Sequence, residues 1–112
     1  MLFRSVALAR AAVRVGDAAN AVLLLDEPTA ALGYAQTKQV GELVRTMADR
    51  GIAVVVVTHN LPFCFDVADR IAVLNRGRKV ADVLRSETDN DAIVGWITGA
   101  KAPQENLVAG SR

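Results

Sequence analysis

The chain has little cysteine, few aromatic residues and almost no net charge. Its 112 residues include one cysteine, Cys64, which excludes an internal disulfide and any zinc site built from several cysteines. Only 4% of the residues are aromatic while 52% are hydrophobic, so a core must consist of aliphatic side chains. This composition favours a parallel sheet covered by helices over a β-sandwich. The net charge of +1 gives no electrostatic argument for nucleic acid or for a membrane surface as partner.

Long apolar segments are also absent. No apolar run reaches the roughly 18–20 residues that a membrane-spanning helix needs. At the N-terminus, Arg4, Arg10 and Arg14 precede the first acid, Asp17, a pattern that superficially resembles a transit peptide. The arginines interrupt any apolar core of a secretory signal, so we interpret this segment as an amphipathic helix of the fold.

Hydrophobic periodicity divides the chain into alternating helices and strands. We predict helices over residues 2–15, 34–49, 61–69 and 89–98 and strands over 20–25, 53–57, 71–74 and 80–84. The first strand is predicted to be buried, and the second, which lacks alternation, to be buried on both faces; the helix between them makes a βαβ unit. The last two strands predict a hairpin whose turn uses Gly77, and Thr88 is expected to cap the last helix.

Two adjacent carboxylates close the first of these strands. The aliphatic run Ala21–Leu25 ends at Asp26 and Glu27, and Pro28 then has no N–H to offer a sheet. An acid in the position of Asp26 can hold Mg²⁺ through water, and Glu27 can deprotonate an attacking water. His59 follows the neighbouring strand, and such strands lie about 4.8 Å apart, so we expect these three side chains in one site that acts on a phosphate. An Asp-Glu pair or a histidine near a strand end usually has a structural role when it occurs alone. The two together on successive strands are a more specific sign of a site.

These motifs resemble those of the ATP-binding-cassette ATPases. The block Leu23–Leu32 resembles the Walker B motif with its D-loop, and Val55–Asn60 resembles the switch-histidine loop. Arg4–Ala11 resembles the helix that follows the family's signature sequence. Features similar to the sugar-importer branch are Thr58-His59-Asn60, Gly33 and the segment 69–77.

The resemblance implies an α/β fold that is a partial P-loop NTPase (RecA-like) core, with parallel strands, flanking helices, and a C-terminal β-hairpin and helix. It covers residues 1–100, and we expect residues 101–112 to be a disordered tail. Ala31, Leu32 and Gly33 would form the D-loop that contacts a second ATPase subunit. The other expected partners are membrane permease subunits, with no nucleic acid, at the cytoplasmic face of the cell membrane.

The same resemblance assigns roles to the strand-end residues. With ATP and Mg²⁺ as cofactors, Asp26 would be the magnesium ligand, through water, and Glu27 and His59 would be catalytic. Most members of the family carry Asp where Gly33 stands, so no carboxylate role is implied for the D-loop here.

Three motifs of that family do not occur in the sequence. There is no GxxxxGK[ST] loop, whose backbone N–H groups and lysine cradle phosphates, no Leu-Ser-Gly-Gly-Gln signature and no glutamine loop. The resemblance therefore predicts a C-terminal part of an ATPase domain, beginning just after the signature, that neither binds ATP tightly nor hydrolyses it alone.

The absent phosphate loop also predicts an open sheet edge. In the family, the strand that bears this loop lies between the His59 strand and the strand at 71–74. Without it, the strand at 53–57 would expose an apolar edge, which is an aggregation hazard. We expect either that the strand at 71–74 moves in to close the gap, or that a further polypeptide supplies the absent part.

Two other functions remain as alternatives. A non-catalytic interaction fragment would pair with a full-length cassette ATPase through Ala31–Gly33 and the C-terminal surfaces. A phospho-acceptor signalling domain could use Asp26 and Thr58, which each end a strand. It would also need an earlier acidic pair and a lysine that ends a later strand, and the sequence has neither.

Overall fold

A computed structural model describes residues 13–15, as backbone, and residues 21–105. These residues fall into two compact units that meet in sequence between Val67 and Ala68. The first unit contains β1 (Val13–Val15), β2 (Val22–Asp26), α1 (Tyr34–Asp49), β3 (Ala53–Val57) and α2 (Leu61–Val67). The second contains β4 (Arg70–Asn75), β5 (Arg78–Leu84), a 3₁₀ turn (Arg85–Glu87) and α3 (Asn90–Thr98).

The sheet of the first unit confirms the predicted α/β arrangement of a parallel strand pair and helices. β2 and β3 are parallel, with Val22 opposite Ala53 and Asp26 opposite Val57. Helix α1 connects the two strands, so the predicted βαβ unit is present. The strand order is β1-β2-β3.

The predicted helix over residues 2–15 is wrong at its C-terminal end. Val13–Val15 form a strand that pairs antiparallel with β2, with Val13 opposite Leu24. Two β-branched residues separated by one position suit a strand wherever a neighbouring strand can pair with it, and tertiary context then overrides helical periodicity. The remainder of that predicted helix lies outside the described residues.

One face of the β2–β3 pair packs against α1 and α2. The buried members of this core are Leu23, Leu25, Val44, Phe63 and Val67. Gly41 lies where the two helices meet, and a Cβ there would stand 3.2 Å from Val67 Cγ1. A side chain at this position would therefore press on the neighbouring helix.

The prediction that the strand at 53–57 is buried on both faces is wrong, and the predicted buried strand before Asp26 is likewise exposed on one face. Leu24, Val55 and Val57 keep 40%, 48% and 57% of their surface exposed, and burial alternates along both strands. The uninterrupted aliphatic run did not reveal this, because it reads the same whether one face or both faces are covered.

The second unit is built on the predicted hairpin. β4 pairs antiparallel with β5, and both turn residues, Arg76 and Gly77, have positive φ (55° and 78°). Consecutive positive φ values give the twist that matches a tight hairpin. Trp96 is buried in α3, and Gly99 at φ 84° ends that helix as predicted.

Two details of the second unit differ from the predictions. The N-cap of α3 is Asp89, whose side chain accepts the N–H of Ala92 at 2.9 Å, and Thr88 precedes it. The expected disorder from residue 101 does not hold for residues 101–105. Gln104 donates its N–H to the carbonyl of Val80 at 2.9 Å, and its Oε1 accepts the N–H of Asp82 at 2.7 Å. Residues 106–112 lie outside the described part.

The strand at 71–74 does not close the edge of β3. It belongs to β4, which forms a separate two-stranded sheet with β5. Among the described residues, β3 pairs with β2 alone, so its other edge has no strand partner. The predicted open edge is therefore present in the part of the chain that the structure covers.

Candidate functional site

The two acids leave β2 in different conformations. Asp26 is the last residue of the strand, and its side chain is exposed. Glu27 donates its N–H to the carbonyl of Val57 at 2.7 Å. Its own backbone is in the left-handed region, with φ 49°. A left-handed conformation is uncommon for a residue with a side chain, and such strain concentrates at functional sites.

The structure brings Glu27 and His59 into direct contact. The Nδ1–H of His59 donates to Oε2 of Glu27, and the backbone N–H of His59 lies 3.4 Å from Oε1. The imidazole is 95% exposed, whereas 32% of the Glu27 side chain is exposed. The imidazole of His59 is therefore open to solvent, and its hydrogen bond fixes the carboxylate of Glu27 beside it.

The pKa of Glu27 lies below its ordinary value of 4.5. The hydrogen bond from the His59 side chain is the main cause, and the backbone N–H of His59 adds to it, while partial burial opposes both. Glu27 is therefore ionised at neutral pH.

Acid should weaken the chain through this pair. A carboxyl whose pKa is lowered by folding stabilises the folded state above its unfolded pKa of about 4.5 and loses that contribution as the pH falls through the folded pKa. We expect the stability advantage of wild type over Glu27→Gln, measured as free energy of unfolding, to shrink as the pH falls below about 4.5. Urea unfolding of both proteins above and below this pH measures the difference, and a difference independent of pH would contradict the assignment.

The loop after Glu27 is a pair of tight turns that the sequence did not specify. Ala30 donates its N–H to the carbonyl of Glu27 at 3.2 Å, and Leu32 donates to that of Thr29 at 3.1 Å. Thr29 is 5% exposed, so the loop is anchored between its two turns. Ala31 has a φ of 64°, a second left-handed residue in this loop.

Replacing Ala31 by glycine should stabilise the chain. Glycine has no Cβ to oppose a φ of 64°, so we expect Ala31→Gly to raise the free energy of unfolding by about 0.5–1 kcal/mol. The matched control is Ala35→Gly on the exposed side of α1, which should lower it by about 0.5–1 kcal/mol. Equilibrium unfolding of both variants tests the prediction, which fails if the two substitutions change stability in the same direction.

Asn60 is a site residue that sequence reasoning left without a role. Its Oδ1 accepts the N–H of Phe63 at 3.1 Å, which caps α2, and its own N–H donates to Thr58 Oγ1 at 3.0 Å. Its Nδ2 lies 3.5 Å from Oγ1 of Thr29, so the Asn60 side chain also contacts the loop after β2. An asparagine immediately before a helix is a standard N-cap signal, and that signal could have identified it.

The expected D-loop residues lie at the start of α1. Gly33 is the N-cap of the helix, and its N–H donates to Oε1 of Gln36 at 3.1 Å. Ala31 and Gly33 are exposed and Leu32 is half-buried. These residues are accessible, as a contact with another subunit requires.

The strand end offers a cation two adjacent carboxylates, those of Asp26 and Glu27. No three His, Cys, Asp or Glu side chains gather as a metal site among the described residues. Asp26 is an exposed carboxylate, the kind of oxygen ligand that Mg²⁺ accepts through its hydration shell. The side chains shown here fit Mg²⁺ only as a partial ligand set, to which other groups must contribute. In the same part of the chain, no helix is long and apolar enough to cross a membrane.

Comparison with known proteins decides the family. No family model matches the sequence. The chain is 37% identical over 106 residues to the fructose import ATP-binding protein FrcA of Rhizobium meliloti. This alignment covers 95% of the chain and 39% of the relative. It is also 37% identical over 86 residues to the xylose/arabinose import ATP-binding protein XylG of Sulfolobus acidocaldarius. That alignment covers 77% of the chain and 34% of the relative. The chain belongs to the ATP-binding-cassette family.

Within that family, its relatives are ATP-binding proteins of sugar importers. The ribose import ATP-binding protein RbsA of Rhodococcus jostii is a third, 37% identical over 84 residues, or 75% of this chain and 17% of the relative. The chain thus spans well under half the length of each of these cassette proteins. The catalytic and magnesium-binding roles of Asp26, Glu27 and His59 stay predictions.

Proposed function

We propose that the chain forms the water-activating edge of an ATP-hydrolysing subunit of a sugar importer. The observation that carries the proposal is the contact between Glu27 and His59 at the carboxyl ends of adjacent parallel strands, next to the exposed carboxylate of Asp26. Ligands of open α/β sheets bind at this end of the strands.

Each side chain has a separate task in this proposal. Glu27 is ionised and fixed by His59, so it can orient a water molecule and take its proton. The ring of His59 is exposed, so Nε2 is accessible to a terminal phosphate, and it donates to that phosphate when both ring nitrogens carry a proton. Asp26 would hold Mg²⁺ through water, and the ion would supply positive charge to the phosphates.

The proposal includes an inactive state for the chain by itself. The sequence has no GxxxxGK[ST] loop or signature to grip a nucleotide, so the nucleotide-binding groups must come from another segment. The proposed partners are a second cassette ATPase subunit at Ala31–Gly33 and membrane permease subunits, at the cytoplasmic face of the membrane. The sugar is not specified by any residue of this edge.

ATP turnover by the purified chain tests this part of the proposal. We expect phosphate release in MgATP to equal that of a blank, and to be the same for wild type and Glu27→Gln. Turnover above the blank that disappears in Glu27→Gln would show a complete active site and overturn the proposed inactivity.

The alternative is a non-catalytic fragment that pairs with a full-length cassette ATPase. The exposure of Ala31 and Gly33 favours it, since both are accessible for a subunit contact. Co-purification with a full-length cassette ATPase, lost on Gly33→Arg and retained in Ser86→Arg at an exposed position of the 3₁₀ turn, would support this function. Retention of the complex in Gly33→Arg would remove the D-loop from it.

A further inference from the structure

Asn60 lies in the loop after β3 and contacts three different parts of the first unit. Its N–H donates to Oγ1 of Thr58 at 3.0 Å, and its carbonyl accepts the N–H of Cys64 at 2.9 Å. Its side chain uses both polar atoms: Oδ1 accepts the N–H of Phe63 at 3.1 Å, and Nδ2 lies 3.5 Å from Oγ1 of Thr29. Each polar group of Asn60 therefore has a partner, and these partners lie in both strand-end loops and in α2.

His59, the residue before it, has little support of its own. The ring is 95% exposed, so packing does not restrict it, and its contact with Glu27 depends on where the backbone places it. The last backbone hydrogen bond between the two chain segments runs from Glu27 to the carbonyl of Val57. Beyond that point, side-chain contacts join the loop after β2 to the loop after β3.

The side chain of Asn60 is attached to two buried residues. Thr29 is 5% exposed and lies between the two turns of the loop after β2, and Phe63 is 2% exposed in the core cluster. Asn60 thus connects the loop of His59 both to the loop of Glu27 and to the core. A reactive pair keeps a fixed geometry only when neighbouring groups that are themselves fixed support it.

We propose that Asn60 is a positioning residue, which holds His59 in contact with Glu27 by tying its loop to Thr29 and to the start of α2. The competing role is that of a helix N-cap alone, since asparagine is a favoured residue there. The inference rests on the proposed function for what the Glu27–His59 pair does, whereas the contact itself can be measured without ATP.

The ring of His59 reports this contact directly, because it is the one histidine of the chain. A carboxylate can only accept, so the hydrogen bond to Glu27 places the proton of a neutral ring on Nδ1. At about pH 9 a histidine ring in water is neutral, and the nitrogen chemical shifts of the ring then show which atom carries the proton. The wild-type chain unfolded in urea gives the shifts of a ring without the contact.

Asn60→Ser separates the two roles in the full-length chain. Serine is also a good N-cap, but its side chain is one bond shorter and loses the contact with Thr29. We expect the ring shifts of this folded variant to move at least about half of the way from wild type to the unfolded reference. Thr29→Val removes the other partner and should give the same change. The double variant should change the shifts no further than the single ones, because the two residues share one contact.

Two control variants should keep the wild-type ring shifts. Thr29→Ser retains the hydroxyl group that Asn60 contacts. Asp89→Ala removes the N-cap of α3 in the second unit, where the Asp89 side chain accepts the N–H of Ala92. It should lower the stability of the chain without touching either strand-end loop.

Wild-type ring shifts in folded Asn60→Ser and folded Thr29→Val would reduce Asn60 to a helix cap and overturn the proposal. So would an equal change in Asp89→Ala, since loss of stability alone would then move the ring. Circular dichroism shows whether each variant folds, and if one of the two does not, the other decides. The two proposals fail separately: absent ATP turnover in an assembled cassette would contradict the proposed function, and the ring shifts decide the role of Asn60.

Discussion

Joined behind the preceding part of the Rhizobium meliloti relative, the chain should form a cassette that hydrolyses ATP, and Glu27→Gln should lower its turnover by about 10²–10⁴-fold. Glutamine keeps the size of the side chain and can still accept a hydrogen bond from His59, but it cannot take a proton from water. The loss should therefore lie in the rate at saturating ATP, with little change in nucleotide affinity. Phosphate release by the purified chimera measures it.

The matched control for this substitution is Glu42→Gln. Glu42 is exposed on α1 and has the same charge as Glu27, so its loss should change turnover by less than about two-fold. A folded chimera that binds nucleotide and loses activity equally in both variants would contradict the role of Glu27. So would unchanged turnover in Glu27→Gln.

The largest effect on stability is expected from Phe63→Ala. Phe63 is 2% exposed and packs in the cluster between the sheet and the helices. Removing the ring leaves a cavity and should cost about 3–5 kcal/mol, a large share of the roughly 5–15 kcal/mol that stabilises a typical domain. We expect the free energy of unfolding to fall by that amount, which urea unfolding followed by circular dichroism would measure.

Tyr34→Ala is the aromatic control for that prediction. Tyr34 is 80% exposed at the start of α1, where Lys38 Nζ lies 5.8 Å from its ring centroid. Its loss should change the free energy of unfolding by no more than about 0.5 kcal/mol, as for most surface substitutions. A Phe63→Ala variant as stable as Tyr34→Ala would show that the described core does not hold the unit together.

Local sequence patterns were sufficient for the elements that position the site. The aliphatic runs before Asp26 and before Thr58 both form strands, and the amphipathic pattern between them forms α1 over Tyr34–Asp49. Because parallel strands end at one edge of a sheet, the contact of Glu27 with His59 could be expected from these runs alone. The prediction worked because short-range patterning and the long-range pairing agree.

The features that the sequence did not reveal depend on neighbours far away along the chain. Val13–Val15 form a strand only because β2 offers an edge to pair with. Gln104 is ordered by the backbone of β5, some twenty residues earlier, which local composition cannot indicate. The exposure of Leu24, Val55 and Val57 depends on what covers that face of the sheet, and an aliphatic run reads the same whether the face is covered or not.

The cap on α3 shows a different kind of limit. Thr88 and Asp89 are both good N-cap residues, and two adjacent candidates differ by one position in where the helix begins. The structure uses Asp89. Element boundaries are therefore weaker predictions than element type, even where the chemistry of the cap is clear.

A titration with MgATP observed at the amides of Glu27 and His59 tests the central claim most directly. The account places the water-activating edge in this chain and the groups that grip the nucleotide elsewhere. It predicts no saturable chemical-shift change at these amides in the chain alone, and clear changes in the chimera. Saturable shifts in the chain alone, centred on Glu27 and His59, would contradict it.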